Sequence, residues 1–320
     1  MEQGKVRLYG CGGLGTNIVK TYIDRPPAPG FATPLVSFVD TSRSNLAGIT
    51  NEDSIYVLDK TDGSGKVRKE NHAQISAAVK QILLKQAPED FNIVVFSASG
   101  GSGSVIGPLL AKELAARGHS VVVLLAGSSE STITAQNTLN TIKSLAAISK
   151  QVDTPIVMHY RHNGGDCTRS VVDGQLHLAI SSLCYLTSRQ NDELDTKDVA
   201  NWLRFNHSTS VPAQLAMLDI FYSPEAVKAI KDPITIASLY SDRDQKHLEE
   251  PIPEYPCTGY FQTAIEGVDE VHLVVSTENL DATYEKLQKT LDDFIRRREG
   301  RAAAVDLVGD TATTDDGLVL

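Results

Sequence analysis

The segment FSASGGSGSVIG, Phe96 to Gly107, decides how this chain is read. A short apolar run ends in Gly100, Gly101 and Gly103 and passes into a helix-like pattern. Glycines at such a junction free the backbone to wrap phosphate oxygens, while Ser99, Ser102 and Ser104 add hydroxyl donors. A second loop of the same kind lies near the start, in RLYGCGGLGTN, Arg7 to Asn17. There Gly10, Gly12 and Gly15 have G-x-G-x-x-G spacing between a strand and a helix, and Asp40 closes the next strand. Glycine is needed because the chain must turn sharply and bring its N–H groups to an anion at a helix N-terminus. Taken alone, this loop suits a nicotinamide-dependent Rossmann oxidoreductase, whose adenosine ribose would meet Asp40, or a tight turn without a ligand. A dehydrogenase, however, does not need a second anion cradle. Neither loop has the lysine of a P-loop, so phosphates would be held by backbone dipoles, hydroxyls and Mg²⁺, with no metal ligand assigned.

The pattern around the two loops repeats. Val6 to Tyr9, Leu35 to Val39, Asn92 to Phe96, Val121 to Leu125 and Ile156 to Tyr160 are short apolar runs that read as buried parallel strands. Helix-length segments separate them: Asn71 to Gln86, Ser104 to Arg117 and Ile133 to Ser149. Alternation of this kind predicts a doubly wound α/β domain. A long helix follows over Thr168 to Ser188, with Val172, Leu176, Ala179, Leu183 and Leu186 forming a core-facing stripe.

Beyond the acidic turn RQNDELDTKD lies a second region, with PAQLAMLDIFY, GYFQTAI and EVHLVVST as its strands. The polar, Pro-punctuated stretch from Ser223 to Pro256 reads as helix plus loops. A charged amphipathic helix, NLDATYEKLQKTLDDFIRRREGR, sets Leu287, Leu291 and either Phe294 or Ile295 on one face. Residues 305–320 carry Asp306, Asp310, Asp315 and Asp316, no basic residue, and a final GLVL; they read as a plain tail or as a segment that folds on a partner. The expected divisions are a nucleotide-binding domain (1–167), a linking helix (168–188), an activation domain (189–280), a C-terminal helix (281–304) and an acidic tail (305–320).

A chain of 320 residues with 41% hydrophobic content can bury a large core. The net charge of −10 argues against direct nucleic-acid binding, which depends on basic residues displacing counterions. Cys11, Cys167, Cys184 and Cys257 are scattered singly, unlike a zinc site or a disulfide scaffold. No apolar run approaches the roughly 20 residues of a membrane span, so the expected location is the cytoplasm.

With both loops in register, the sequence resembles the tubulin/FtsZ superfamily. GCGGLGTN is similar to that family's first nucleotide loop and SGGSGSVIG to its glycine-rich signature, with Ser102 where threonine is usual. The size, single C-terminal helix and acidic tail most resemble the bacteriophage tubulins. The resemblance implies a GTPase with GTP/GDP as ligand. It implies nucleotide contacts from Gly10, Cys11, Gly12, Gly13, Gly15 and Asn17, from Asp40 and Thr41, and from Ser99, Gly100, Gly101, Ser102, Gly103 and Ser104. It places Glu130 on the ribose and Asn163 with Asp173 on guanine, whose N1–H and N2 hydrogens a carboxylate can accept together. Thr134 stands where the family has a cation. The loop KTDGSGKVRKEN, Lys60 to Asn71, occupies the place that senses the γ-phosphate, with Lys66 or Arg68 as its cation or simply as solvated charge.

ELDTKDV resembles the family's N-x-D-x-x-D-V pattern, with Glu193 at the asparagine position. The resemblance makes Asp195 and Asp198 the carboxylates that act on a neighbour's nucleotide, with Asp192 as alternate. It implies a head-to-tail homopolymer, with Asp310 to Leu320 reaching onto the adjacent subunit. The implied role is a dynamic filament in the host bacterial cytoplasm, positioning phage DNA or its replication compartment through an adaptor or capsid cargo. A nucleotide-binding filament without turnover is the other reading.

Overall fold

Alternate residues of the central strands face opposite ways: Ile93 and Val95 join one core cluster, and Val94 and Phe96 the other. Strands buried on both faces must be covered by helices on both faces, and the computed structural model has that arrangement. It describes residues 2–24, 30–165, 167–263 and 267–299. The tail expected over 305–320 lies outside the described residues.

The strands are β1 (Lys5–Cys11), β2 (Thr33–Asp40), β3 (Ile55–Val57), β4 (Phe91–Ser97), β5 (Ser120–Ser128), β6 (Ile156–Asn163), β7 (Asn191–Asp192), β8 (Leu215–Phe221), β9 (Thr235–Tyr240), β10 (Tyr255–Phe261) and β11 (Glu270–Ser276). They form one sheet in the order β3-β2-β1-β4-β5-β6-β8-β11-β9-β10-β7. The run from β3 to β8 is parallel, β11 is antiparallel to β8 and β9, and β7 is antiparallel to β10.

The helices are α1 (Gly12–Ile23), α2 (His72–Lys85), α3 (Gly103–Ala116), α4 (Thr132–Val152), α5 (Arg169–Leu186), α6 (Thr196–Leu203), α7 (Pro224–Val227) and α8 (Glu278–Glu299). Ile18 of α1, Leu176 of α5 and Trp202 of α6 pack on one face of the sheet; Ile75, Leu110, Leu139 and Leu287 bring α2, α3, α4 and α8 to the other. The α5 stripe is core as expected, with Val172, Leu176, Ala179, Leu183 and Leu186 all buried. On α8, Leu287 and Leu291 are buried and Phe294 packs beside them, whereas Ile295 is exposed.

Three strand readings are corrected. The reading of Ser223 to Pro256 as helix plus loops misses β9, all six residues of which are buried. Its position between β10 and β11 covers both edges and Thr235 Oγ1 donates to Trp202 O at 2.9 Å, so its Thr and Ser lie in the core. The neighbouring β10 begins at Tyr255 rather than Gly259. Pro256 is tolerated because β7 pairs with β10 only at Tyr260 and Phe261, leaving no ladder bond on the outer side of Pro256. Finally, β3 spans only Ile55–Val57 and was not expected.

Candidate nucleotide-binding site

The two glycine loops touch each other. A Cβ on Gly12, whose φ is +68°, would lie 2.8 Å from Gly103 Cα, and one on Gly103 would lie 2.7 Å from Cys11 O. Only glycine permits this approach, which sets the N-termini of α1 and α3 side by side at one end of the sheet. Two helix N-termini aimed at one space favour an anion there.

That space is a cleft of about 700 Å³ at the C-terminal ends of β1, β4, β5 and β6. Of the residues expected at the nucleotide, Cys11, Gly13, Asp40, Ser99, Gly100, Gly101, Ser102, Gly103, Glu130, Asn163 and Asp173 line it. Gly10, Gly12, Gly15, Asn17, Thr41 and Ser104 stand outside that lining. Gly10 and Gly15 let α1 pack against the sheet, since a Cβ on Gly15 would lie 2.0 Å from Val95 O. Ser104 Oγ donates to Gly100 O at 2.7 Å and to Gly101 O at 3.0 Å, clasping the loop backbone. Asn17 is exposed on α1.

Serine hydroxyls tie the loops into one frame. Ser102 Oγ lies 2.6 Å from Thr41 Oγ1 and 2.7 Å from Ser64 Oγ, and Asn71 Nδ2 donates to Ser64 Oγ and to Gly63 O. The Lys60 to Asn71 segment is thereby laid against the second glycine loop, and Lys66 lines the cleft. Arg68 is directed elsewhere: it donates to Asn137 O, Thr141 and Ser144, and burial lowers its pKa.

Asp40 is nearly inaccessible and already engaged. It accepts from Thr41 N at 2.6 Å and from Asn45 Nδ2 at 2.8 Å, while burial raises its pKa. At the opposite wall Asn163 Nδ2 donates to Glu130 Oε1 at 3.1 Å, joining the expected base and ribose contacts. Thr134, at the position where a cation was expected, closes the α4 capping box with Ser131 and also lines the cleft. Asp173 Oδ1 is buried without a hydrogen-bond partner, and burial raises this acid's pKa despite Arg169, 4.0 Å from Oδ2. A carboxylate oxygen left unsatisfied in a cleft wall is an open acceptor. Arg169 and Asn45 also line the cleft and were not singled out from the sequence; nothing in a lone Arg or Asn of a loop distinguishes it there.

Asp195 and Asp198 are far from this cleft. Asp195 caps α6, its Oδ1 accepting from Lys197 N at 2.7 Å and Asp198 N at 2.9 Å, bonds that hold its carboxyl below the usual range. Asp198 returns a bond to Asp195 N and accepts from the Tyr255 hydroxyl. Asp195 lines a separate hollow of about 880 Å³ with Asp90, Phe91 and Ser120, at the N-terminal ends of β4 and β5. The cleft opens at the C-terminal ends of those same strands, roughly 20 Å away at the rise of a parallel strand. The expected alternate, Asp192, is held by Gln262 and Arg243, which lower its pKa. Asn191, not anticipated, is buried and donates to Tyr185 O and Leu186 O, so the end of α5 carries the acidic loop directly.

Residues 5–162 match the model of the Tubulin/FtsZ family GTPase domain, and residues 194–278 match that of the phage tubulin-like protein C-terminal domain. The chain is 29% identical to the phage tubulin-like protein of Pseudomonas phage PhiPA3 over 326 residues, covering all of both. Among solved structures it resembles the protofilament of TubZ from bacteriophage PhiKZ, with a TM-score of 0.87, 29% identity, and 98% and 99% of the two chains covered. It also resembles the phage tubulin PhuZ–GDP structure, with a TM-score of 0.86, 25% identity and 98% of each chain covered.

Proposed function

This chain belongs to the tubulin/FtsZ superfamily, and from that premise we propose that it binds GTP in the cleft, assembles head-to-tail into filaments, and hydrolyses GTP where a neighbour's Asp195 and Asp198 reach it. The observation that carries the proposal is the placement of the cleft and Asp195 at opposite ends of the parallel strands β4 and β5. A single copy cannot bring them together, but copies stacked in one direction set the Asp195 end of one against the cleft of the next. A heterologous contact of this kind does not close on itself and propagates a filament. Residues 1–167 then hold the nucleotide, 168–188 carry the connection, and 189–280 deliver the acid to the adjacent copy.

The chemistry follows from the residues. Backbone N–H groups of the two glycine loops and the Ser99, Ser102 and Lys66 side chains surround the phosphates, and Asp173 accepts from guanine N1–H and N2–H. Asp195 orients and polarises a water in line with the γ-phosphate, since phosphoryl transfer depends mainly on positioning and charge stabilisation. Mg²⁺ would supply charge neutralisation at the phosphates. The described residues offer no group of three His, Cys, Asp or Glu side chains to hold it, so phosphate oxygens and water would supply most of its ligands. Loss of the γ-phosphate would release the Lys60 to Asn71 segment and weaken the joint. Residues 310–320 are assigned to the adjacent subunit, and a truncation that polymerises normally would refute that contact.

The matched relatives come from phages, which supports a filament in the infected bacterial cytoplasm that positions phage DNA or its replication compartment, with an adaptor or capsid as cargo. Among the described residues no helix is long and apolar enough to cross a membrane. Sedimentation with GTP and with a non-hydrolysable analogue, with phosphate release measured in parallel, tests the proposal. Assembly with both and release only with GTP is expected. Polymer without phosphate release would identify a non-hydrolysing filament, and nicotinamide binding without GTP affinity would restore the oxidoreductase.

A further inference from the structure

Arg243 spans the two residues that lead into the catalytic loop. Its Nη1 lies 2.9 Å from Glu193 Oε1 and its Nη2 2.9 Å from Asp192 Oδ2, while its guanidinium carbon stands 5.2 Å from the centre of the Tyr260 ring. Tyr260 is the β10 partner of Asp192 in the sheet, so the fork grips the loop from the strand beside it. The segment bearing Arg243 is itself fixed. His247 stacks on Tyr240 at 4.6 Å and 14° and pairs through Nε2 with the Tyr260 hydroxyl at 3.0 Å, and Leu248 N donates to Tyr240.

We propose that Arg243 is a positioning residue for hydrolysis: it holds Glu193 in its left-handed conformation and partly offsets the charge of Asp192 and Glu193, so that Asp195 can be presented to a neighbour's triphosphate. The inference rests on the assignment of Asp195 made above. Glu193 has φ +63°, a region that residues with a Cβ resist, and its side-chain tie to Arg243 opposes relaxation of the loop. The same loop carries Asp192, Glu193, Asp195 and Asp198 toward a polyanion. One guanidinium offsets half the charge of the two acids that have no part in the reaction, which lowers that repulsion without touching the one that acts.

The test measures phosphate release per polymerised subunit, GTP affinity of the monomer and the melting temperature. Arg243→Ala is expected to lower kcat about tenfold with KM, monomer affinity and melting temperature unchanged, because a displaced loop misplaces the reacting groups. Arg243→Lys, which keeps the charge and loses the fork, recovers only part of the rate. Adding Glu193→Asn to Arg243→Ala restores most of it, because asparagine tolerates positive φ and is neutral. Arg243→Ala filaments that hydrolyse at the wild-type rate, a double variant that stays slow, or a rate loss that tracks a lower melting temperature would each overturn the proposal. Asp195→Asn, run alongside, separates the two readings. Its full activity would remove the parent assignment and this one together, whereas an inactive Asp195→Asn beside a fully active Arg243→Ala would remove only the role of Arg243.

Discussion

Ser102 Oγ and Ser64 Oγ stand 2.7 Å apart, and this contact joins the second glycine loop to the segment that follows β3. Ser102 also meets Thr41 at 2.6 Å, so one hydroxyl connects three loops around the phosphate end of the cleft. Ser102→Ala should take one hydrogen bond from each partner, leaving Ser64 with Asn71 and Thr41 with Asp40, and loosen the segment. GTP affinity is expected to fall about fivefold, the equivalent of about one hydrogen bond, with GDP affinity less affected. Competition titration with the two nucleotides checks this; equal losses would separate the contact from γ-phosphate sensing.

Asp173 presents a buried acceptor without a partner in the wall of the cleft. Asp173→Asn substitutes a donor for one acceptor and should reduce GTP affinity on the order of a hundredfold while improving affinity for xanthosine triphosphate. If neither nucleotide's affinity changes, Asp173 does not read the base.

The raised pKa of Asp173 fixes the sign of its pH dependence. The proposed guanine contact needs the ionised carboxylate, so GTP affinity should fall on acidification, beginning above the pH at which an ordinary carboxylate titrates. For the empty protein the sign reverses: burial contributes stability with the acid protonated, fully present below its unfolded pKa and lost as pH rises through the raised folded value. Nucleotide titrations and thermal melts across acidic pH read the two trends separately.

Asp195 has a structural task as well as the proposed chemical one, because it caps α6. Asp195→Ala should lower stability by about 1 kcal/mol, whereas Asp195→Asn, a competent N-cap, should melt like the parent. Both are expected to bind GTP normally, release little phosphate and form over-stable filaments. Normal phosphate release by the Asn variant, with its cap intact, would exclude the carboxylate from hydrolysis.

Two helical glycines should respond oppositely to alanine. A Cβ at Gly15 would meet Val95 O at 2.0 Å, while at Gly174 on α5 it meets nothing within 4 Å. Gly15→Ala is expected to destabilise by about 1–3 kcal/mol through overpacking, and Gly174→Ala to stabilise by about 1 kcal/mol through helix propensity. Chemical denaturation of the two variants decides the point.

Apart from the three-residue β3, the parallel half of the sheet was legible because each strand buried on both faces is an apolar run that ends in glycine or a polar turn, as at Phe96 and Leu125. In β9 that signal fails: Thr235 and Ser238 are core residues that look like loop, and the flanking prolines suggest punctuation. Local pattern also reports nothing about direction in space. It marked Lys66 and Arg68 equally, although one lines the cleft and the other is half-buried against α4. It offered no route to Arg243, which meets Asp192 and Glu193 only through the pairing of β7 with β10.

The distance between Asp195 and the cleft has an arithmetic consequence. On the proposed mechanism every contact in a single-file stack would complete one site, so complete sites would number one fewer than copies. One terminal copy would always keep its nucleotide out of reach of a neighbour's acid, and the two extremities of the stack would be chemically unlike. The age of each GTP would be counted from the moment the next copy arrives, making the order of addition a clock.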